Sequence, residues 1–337
     1  MKRYTAVALL LSWVPQCFFI DWCRNNPEWV DQYYGEMLYP YLQSFRSYCI
    51  ERLAFSVGDI LYLAILISGI TFVISNRKQL IQKLFVSLSN VIALLAVIHL
   101  FFQLSWGLNY YKTPLEGVAG KNIQYEEWEL QETLDILIQK TEALHKILAK
   151  NDSLPVPFPL RKSDYLHELS SNPIKQSLWS LPISYMGVAG YLNPFTGEAH
   201  VNYLQPTLGF ITTAAHEKGH QRGIAPENEA NFYAFTTTYQ HKNLHIRYAA
   251  YSFALRYCWI ALHRLNSGCA SERTQKLLPG IRKEYRVLQH FWMQYKNPFQ
   301  PIIDRTYDRF LKANGQRSGR QSYSQVVALL ISNRNKL

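Results

Sequence analysis

Three uncharged or nearly uncharged runs crowd the first 110 residues and limit what the chain can fold into. Tyr4 to Ile20 and Ile60 to Ser75 carry no charged side chain, and Leu84 to Leu108 is broken only by His99 and a few amides and hydroxyls. A helix rises 1.5 Å per residue, so about 20 apolar residues cross a hydrocarbon layer of ~30 Å. The runs predict membrane-crossing helices over residues 4–20, 57–75 and 84–108, rather than buried helices of a soluble core. The first is weakened by Pro15 and Gln16, and no small-x-small cleavage site follows it, so it reads as a retained anchor and not a removed signal.

Charge placement orients these spans. Lys2 and Arg3 precede the first, and the short stretch between the second and third holds Arg77, Lys78 and Lys83 without an acid. The longer loop from Asp21 to Arg52 mixes Glu28, Asp31, Glu36 and Glu51 with three Arg. Positive residues stay inside, which predicts a cytoplasmic N-terminus and an extracytoplasmic remainder after about Tyr110. The net charge of +11 comes without any Lys/Arg block long enough for a nucleic-acid arm. Lipid is therefore the expected partner of the basic surface, and nucleic acid is not. Among five cysteines no CxxC pair occurs, which excludes a cysteine zinc knuckle. Cys23 and Cys49 flank one loop and are either free or bridged.

The rest reads as one further domain. Leu130, Leu134, Leu137, Leu144 and Leu148 fall at helical spacing within Glu126 to Lys150. Asn151 to Pro159 is a Pro-punctuated linker. Ser184 to Asn202 has the Gly and Tyr content of a hairpin, with Asn193 to Gly197 as its turn. From Ala230 onward the chain reads as helical, with breaks near Ser267, Pro298 and Asn314.

Chemistry concentrates at His216-Glu217-Lys218-Gly219-His220. Residues i and i+4 share a helix face, so both imidazoles can reach one metal ion. Glu217 is placed to act as general base on a water activated by that metal. Small and apolar residues lead in from Ile211 to Ala215, and Gly223 is expected to stop the helix so that the chain turns back. Pro226 suits the start of a new helix. On that helix Glu227 shares a face with Ala230, Asn231 and Ala234, whereas Glu229 shares one with Phe232, Tyr233 and Thr236. Close helix approach needs small neighbours, so Glu227 is favoured as third ligand, with Glu229 as the alternative. Asn231, one turn on, is placed to orient a ligating His. Two His, one Glu and an open position is the catalytic type of zinc site. His241 and His245 repeat the i, i+4 spacing without an intervening Glu and read as surface residues.

These residues, together with Phe55 to Ile60, Trp106 to Tyr111, Pro194 to Ala199, Tyr307 to Asn314 and Ser322-Tyr323, resemble the bacterial membrane-protein family labelled domain of unknown function 3810. That resemblance covers nearly the whole chain and implies a zincin-like protein of the bacterial inner membrane. Glu227 to Asn231 is also similar to the ExxxD element of HtpX-type and CAAX prenyl membrane peptidases, with Asn231 standing where those have Asp.

The expected fold class is mainly α: three transmembrane helices within residues 1–110, then a zincin-like α+β metallopeptidase domain over 111–337 with a small hairpin or sheet. The expected function is a membrane-anchored zinc peptidase acting on peptide or protein. The segment from Gly190 and Tyr191 through Asn193 to Asn202 would receive substrate as an added strand. Tyr191, His245, His290 and Tyr307 are open candidates for an oxyanion stabiliser. A zinc-binding sensor or assembly factor without peptidase activity is the competing expectation.

Overall fold

The computed structural model describes residues 11–51, 53, 55–114, 125–170, 174–316 and 325–337. Lys2 and Arg3, residues 4–10 of the first expected span, and Ser322-Tyr323 lie outside the described residues. The chain divides into two units: residues 1–113 with 193–198, and residues 114–192 with 199–337.

In the first unit, α1 (Trp13–Asn25) precedes α2 (Val57–Gln82) and α3 (Leu84–Ser105). Among the described residues, α2 and α3 are long and apolar enough to cross a membrane. At 1.5 Å per residue they reach roughly 39 and 33 Å. Two such helices are therefore described, where three spans were expected. The described half of the first run does not end at Ile20: α1 continues through Asp21 and Arg24, so its uncharged part is short. The polar interruptions of the apolar runs find each other. Gln16 Oε1 lies 2.9 Å from His99 Nδ1, and Trp13 stacks on the His99 ring. The expected loop at 21–52 is helical over residues 27–51, with wide π turns at Val30–Leu38 and Ser47–Glu51. All five cysteines are free; Cys23 is buried in α1 while Cys49 is exposed, so no bridge joins them.

The start of α2 is tightly capped. Ser56 Oγ accepts from Asp59 N at 2.9 Å, and the Glu198 carboxylate accepts from Val57 N at 3.1 Å and Gly58 N at 2.5 Å. Thr196 Oγ1 donates to the same carboxylate at 2.8 Å. A helix begins with unpaired N–H groups and a partial positive charge, so a buried carboxylate is the fitting partner. Gly58 is required there, since a Cβ would stand 2.4 Å from Asn193 Nδ2.

In the second unit, α4 (Glu127–Leu148) shows the expected apolar stripe and packs along α9, defined below. Then come α5 (Lys162–Leu169), β1 (Ile174–Gln176), α6 (Ser180–Tyr185), β2 (Gly190–Leu192) and β3 (Ala199–Val201). The sheet order is β1-β3-β2, with β1 parallel and β2 antiparallel to β3, so β2 is an outer strand. Helices α7 (Thr207–Gln221), α8 (Glu227–Thr238), α9 (Leu244–Leu265), α10 (Ser267–Lys276), α11 (Pro279–Gln294), α12 (Gln300–Ala313) and α13 (Gln325–Ser332) follow. The core gathers Leu130, Leu134 and Leu137 of α4, Phe210 and Ile211 of α7, Tyr248 and Leu262 of α9, and Val326 of α13.

Replacing Glu198 by Ala would leave two N–H groups of α2 without their acceptor. The expected loss is about 2–3 kcal/mol, seen as a lower melting temperature in detergent, with Glu198→Gln losing less. An unchanged melt would show that this turn does not hold the helix start.

Candidate metal centre

Helix α7 ends where expected. Gly223 has φ of +80°, its N–H donates to His220 O at 2.9 Å, and Ile224 N returns to Gly219 O at 3.1 Å. This bend also orients a ligand: the Ile224 carbonyl lies 2.7 Å from His220 Nδ1. A carbonyl can only accept, so Nδ1 carries the proton and Nε2 keeps its lone pair.

The bend sends α8 back against α7. Gly219 makes the approach possible, because a Cβ there would meet Tyr233 Cδ1 at 3.0 Å and Ala230 Cα at 3.5 Å. Ala230 and Ala234 are fully buried in the contact. Glu227, in the first turn of α8, then meets both imidazoles: Oε2 lies 3.3 Å from His216 Nε2 and Oε1 3.7 Å from His220 Nε2. Among the described residues, His216, His220 and Glu227 are the metal-capable cluster, with ligand atoms all within 4.8 Å. Glu229 is buried on the same helix but outside that cluster.

The 3.3 Å separation is that of a tetrahedral ion, while 3.7 Å and the 4.8 Å limit of the cluster are wider, so the three ligand atoms would draw together around one. Bonds of 2.0–2.1 Å at tetrahedral angles place ligand atoms about 3.3–3.4 Å apart. Two imidazoles and one carboxylate also make a borderline-soft N,N,O set that matches zinc. The residues therefore fit the ion that the motif implies.

The electrostatics separate the two carboxylates. Burial opposes ionisation of Glu227, but the His216 hydrogen bond, the charges of both imidazoles and the Tyr307 hydroxyl outweigh it and bring its pKa down to about 2. Burial pushes Glu217 up to about 8, further raised by Glu227, with the His216 charge opposing. Burial and the His216 charge bring His220 down to about 4, so this ring is neutral. Burial also disfavours charge on His216, yet its hydrogen bond and attraction to Glu227 win and raise its pKa, with Glu217 and Asn231 adding to the effect. These interactions favour a proton on His216 beside Glu227 in the metal-free protein, a place that a metal ion would take.

Glu217 projects to the side. It is buried, its Oε2 has no hydrogen-bond partner among the described residues, and it lies against the backbone of β2. A Cβ at Gly190 would stand 2.7 Å from Glu217 Oε1. Glycine alone lets the outer strand pass this close to the carboxylate. Of the other expected substrate-strand residues, Tyr191 is on β2, stacked on His200 of β3 and bonded to Ser177 Oγ at 2.9 Å. Asn193 and Asn202 have structural roles instead. Asn193 Oδ1 accepts from Phe195 N and Thr196 N inside its turn, and Asn202 Nδ2 donates to Ser184 Oγ at 2.8 Å.

Among the oxyanion candidates, Tyr307 reaches the cluster, donating to Glu227 Oε1 at 2.7 Å. His290 is exposed on α11. His245 packs on Phe158 and is half-buried, as is His241, and neither joins the metal-capable cluster. Sequence reasoning placed Gly190 in the substrate segment but missed its close approach to Glu217, and it missed the fully buried His200. An isolated Gly opening a strand was the available signal for the first.

Comparison with known families adds one finding. The family described as "Protein of unknown function (DUF3810)" has a model that matches residues 34–331. The chain belongs to this family. No curated protein and no solved structure matches it. The match takes in both units, including the capped start of α2, the metal-capable cluster and Tyr307.

The metal-free protein carries a pH signature of Glu217. Its folded pKa of about 8 exceeds the ordinary 4.5, so the folded state holds an extra proton between those values. Stability from this group is complete below about pH 4.5 and falls as pH rises toward 8. In chelator-treated protein, Glu217→Gln should raise the melting temperature by several degrees at pH 8 and change little at pH 4.5. Equal effects at both pH values would refute the burial argument.

Proposed function

We propose that this family member is a membrane-anchored zinc-dependent metallopeptidase. The observation that carries the reading is the convergence of His216, His220 and Glu227 beside a buried, unpartnered Glu217 oxygen. A zinc ion on the three ligands would act as Lewis acid and lower the pKa of water toward neutrality. Glu217 takes the proton of the water that attacks the peptide carbonyl and delivers it to the departing amine. The outer strand β2, held against Glu217 at Gly190, would align an extended peptide beside the base, so that substrate adds as a further strand. A chain kept only for zinc binding has no need of an acid at 217, which favours the enzyme over a zinc-bound sensor.

Helices α2 and α3 supply the anchor. The positive residues Arg77, Lys78 and Lys83 near their junction then lie in the cytoplasm of a bacterial cell and the metal centre lies outside it. The zincin-like fold and the likeness of Glu227 to Asn231 to HtpX-type peptidases belong to this reading. Their support is the two-helix metal site itself.

Metal analysis of purified full-length protein beside Glu217→Gln tests it. The expected result is one zinc per chain in both and peptide hydrolysis reduced at least about 10²-fold in the variant. Zinc in both with no cleavage by either would favour the sensor, and wild type without zinc would sink both. Glu227→Ala should lose the metal while Glu229→Ala keeps it; the reverse outcome would reassign the third ligand.

A further inference from the structure

Glu227 is gripped from outside the α7–α8 pair. Tyr307 of α12 holds its side chain through the 2.7 Å bond to Oε1. Gln316, just beyond α12, takes its backbone N–H with Oε1 at 3.4 Å. That N–H opens α8, and Pro226 before it provides no side-chain cap. Gln316 is itself fixed by a turn in which Gly315 has φ of +94° and Gln316 N donates to Leu311 O at 3.0 Å. The far end of α12 is pinned too: Gln300 Nε2 donates to Met186 O at 3.2 Å and Asn297 Nδ2 to Tyr185 O at 2.6 Å. These carbonyls lie just ahead of β2. One helix thus supports both the third ligand and the approach to the outer strand.

The bond from Tyr307 decides how the carboxylate can be used. A carboxylate binds a metal through one oxygen or two. The phenol engages Oε1, which lies 3.7 Å from His220 Nε2, while Oε2 makes the nearer approach to the cluster, 3.3 Å from His216 Nε2. We infer that Tyr307 is a positioning residue that makes Glu227 a one-oxygen metal ligand and keeps the site four-coordinate with one open position. The inference rests on the metal-binding part of the proposed function and not on peptidase activity. The Tyr307 ring is 37% exposed at the rim of the site, so loss of its hydroxyl opens no core cavity.

The test uses purified full-length wild type, Tyr307→Phe and Gln316→Ala. Zinc affinity is measured by competition with a chromogenic chelator, and coordination by visible absorption of the cobalt-loaded protein. Tyr307→Phe should weaken zinc about 10–100-fold. It should also dim the cobalt bands, because Glu227 is then free to bind through both oxygens and raise the coordination number. The melting temperature of chelator-treated Tyr307→Phe should match wild type, and Gln316→Ala should weaken zinc without changing the cobalt spectrum. Wild-type affinity and spectrum in Tyr307→Phe would overturn the inference while leaving the metal site intact. A lowered melt in the chelated variant with an unchanged cobalt spectrum would assign Tyr307 a structural role and also overturn it. Failure of wild type to bind either ion would overturn the metal reading along with it.

Discussion

The cluster of His216, His220 and Glu227 depends on one close approach, that of α8 to α7 across Gly219 and Ala230. The chain reverses between Arg222 and Pro226, and Gly223 takes the left-handed conformation that makes this reversal short. A side chain at 219 would press on the Tyr233 ring and hold α8 away. Glu227 would then be left outside ligand distance of the imidazoles. The residues between the two His are thus not spacers: Gly219 admits α8, and Lys218 anchors the other side of α7 by donating to Leu169 O at 2.6 Å. The bend serves a second purpose through Ile224, whose carbonyl fixes the His220 tautomer.

Packing four ionisable side chains this tightly opposes folding unless each has a partner. His216 and Glu227 satisfy each other. His220 stays neutral and gives its proton to a carbonyl. Two atoms are left over: Glu217 Oε2 and His216 Nδ1 are buried without a hydrogen-bond partner among the described residues. Natural chains tolerate such local conflicts mainly where function needs them. Two carboxylates whose pKa values are driven apart, one to about 2 and one to about 8, are also the pattern expected of a ligand beside a proton carrier. A divalent cation would replace the His216 proton with a larger positive charge and draw the Glu217 pKa back down. A cation at the cluster and the protonation of Glu217 would therefore be coupled through the same few ångströms.

Much of this was legible in the sequence wherever the governing contact is local. The i, i+4 histidines, the stop at Gly223 and the small face that selects Glu227 over Glu229 all act within sixteen residues. So do the apolar stripe of α4 and the long apolar runs of α2 and α3. Contacts between distant segments left no periodic trace. Strand β1 is three residues long and pairs in parallel with a strand 25 positions later, so no alternation announces it. Tyr307 meets Glu227 across 80 residues, and its identity alone suggested only a generic hydroxyl. The amides of Asn193 and Asn202 resembled substrate contacts because they sit in the hairpin, yet both are fully buried and bonded to their own neighbourhood. Residues 27–51 looked like a loop because Pro27, Gly35 and Pro40 punctuate them, but Pro27 and Pro40 fall in the first turns of helical segments, where Pro is tolerated.

The turn between β2 and β3 binds the reading of the two units together. Asn193–Glu198 belongs with the first unit, while the strands on either side belong with the second, which holds the candidate ligands. Glu198 spends its carboxylate on the first N–H groups of α2, and Asn193 and Thr196 lie where a side chain at Gly58 would stand. A fragment cut after residue 113 would keep every candidate ligand and the base but strip this turn of its partners. Glu198 would then be a carboxylate without the helix terminus it caps, at the tip of the hairpin whose outer strand passes Glu217. The full chain, with its apolar helices in detergent or lipid, is the form in which the chemistry of His216, Glu217, His220 and Glu227 has to be judged.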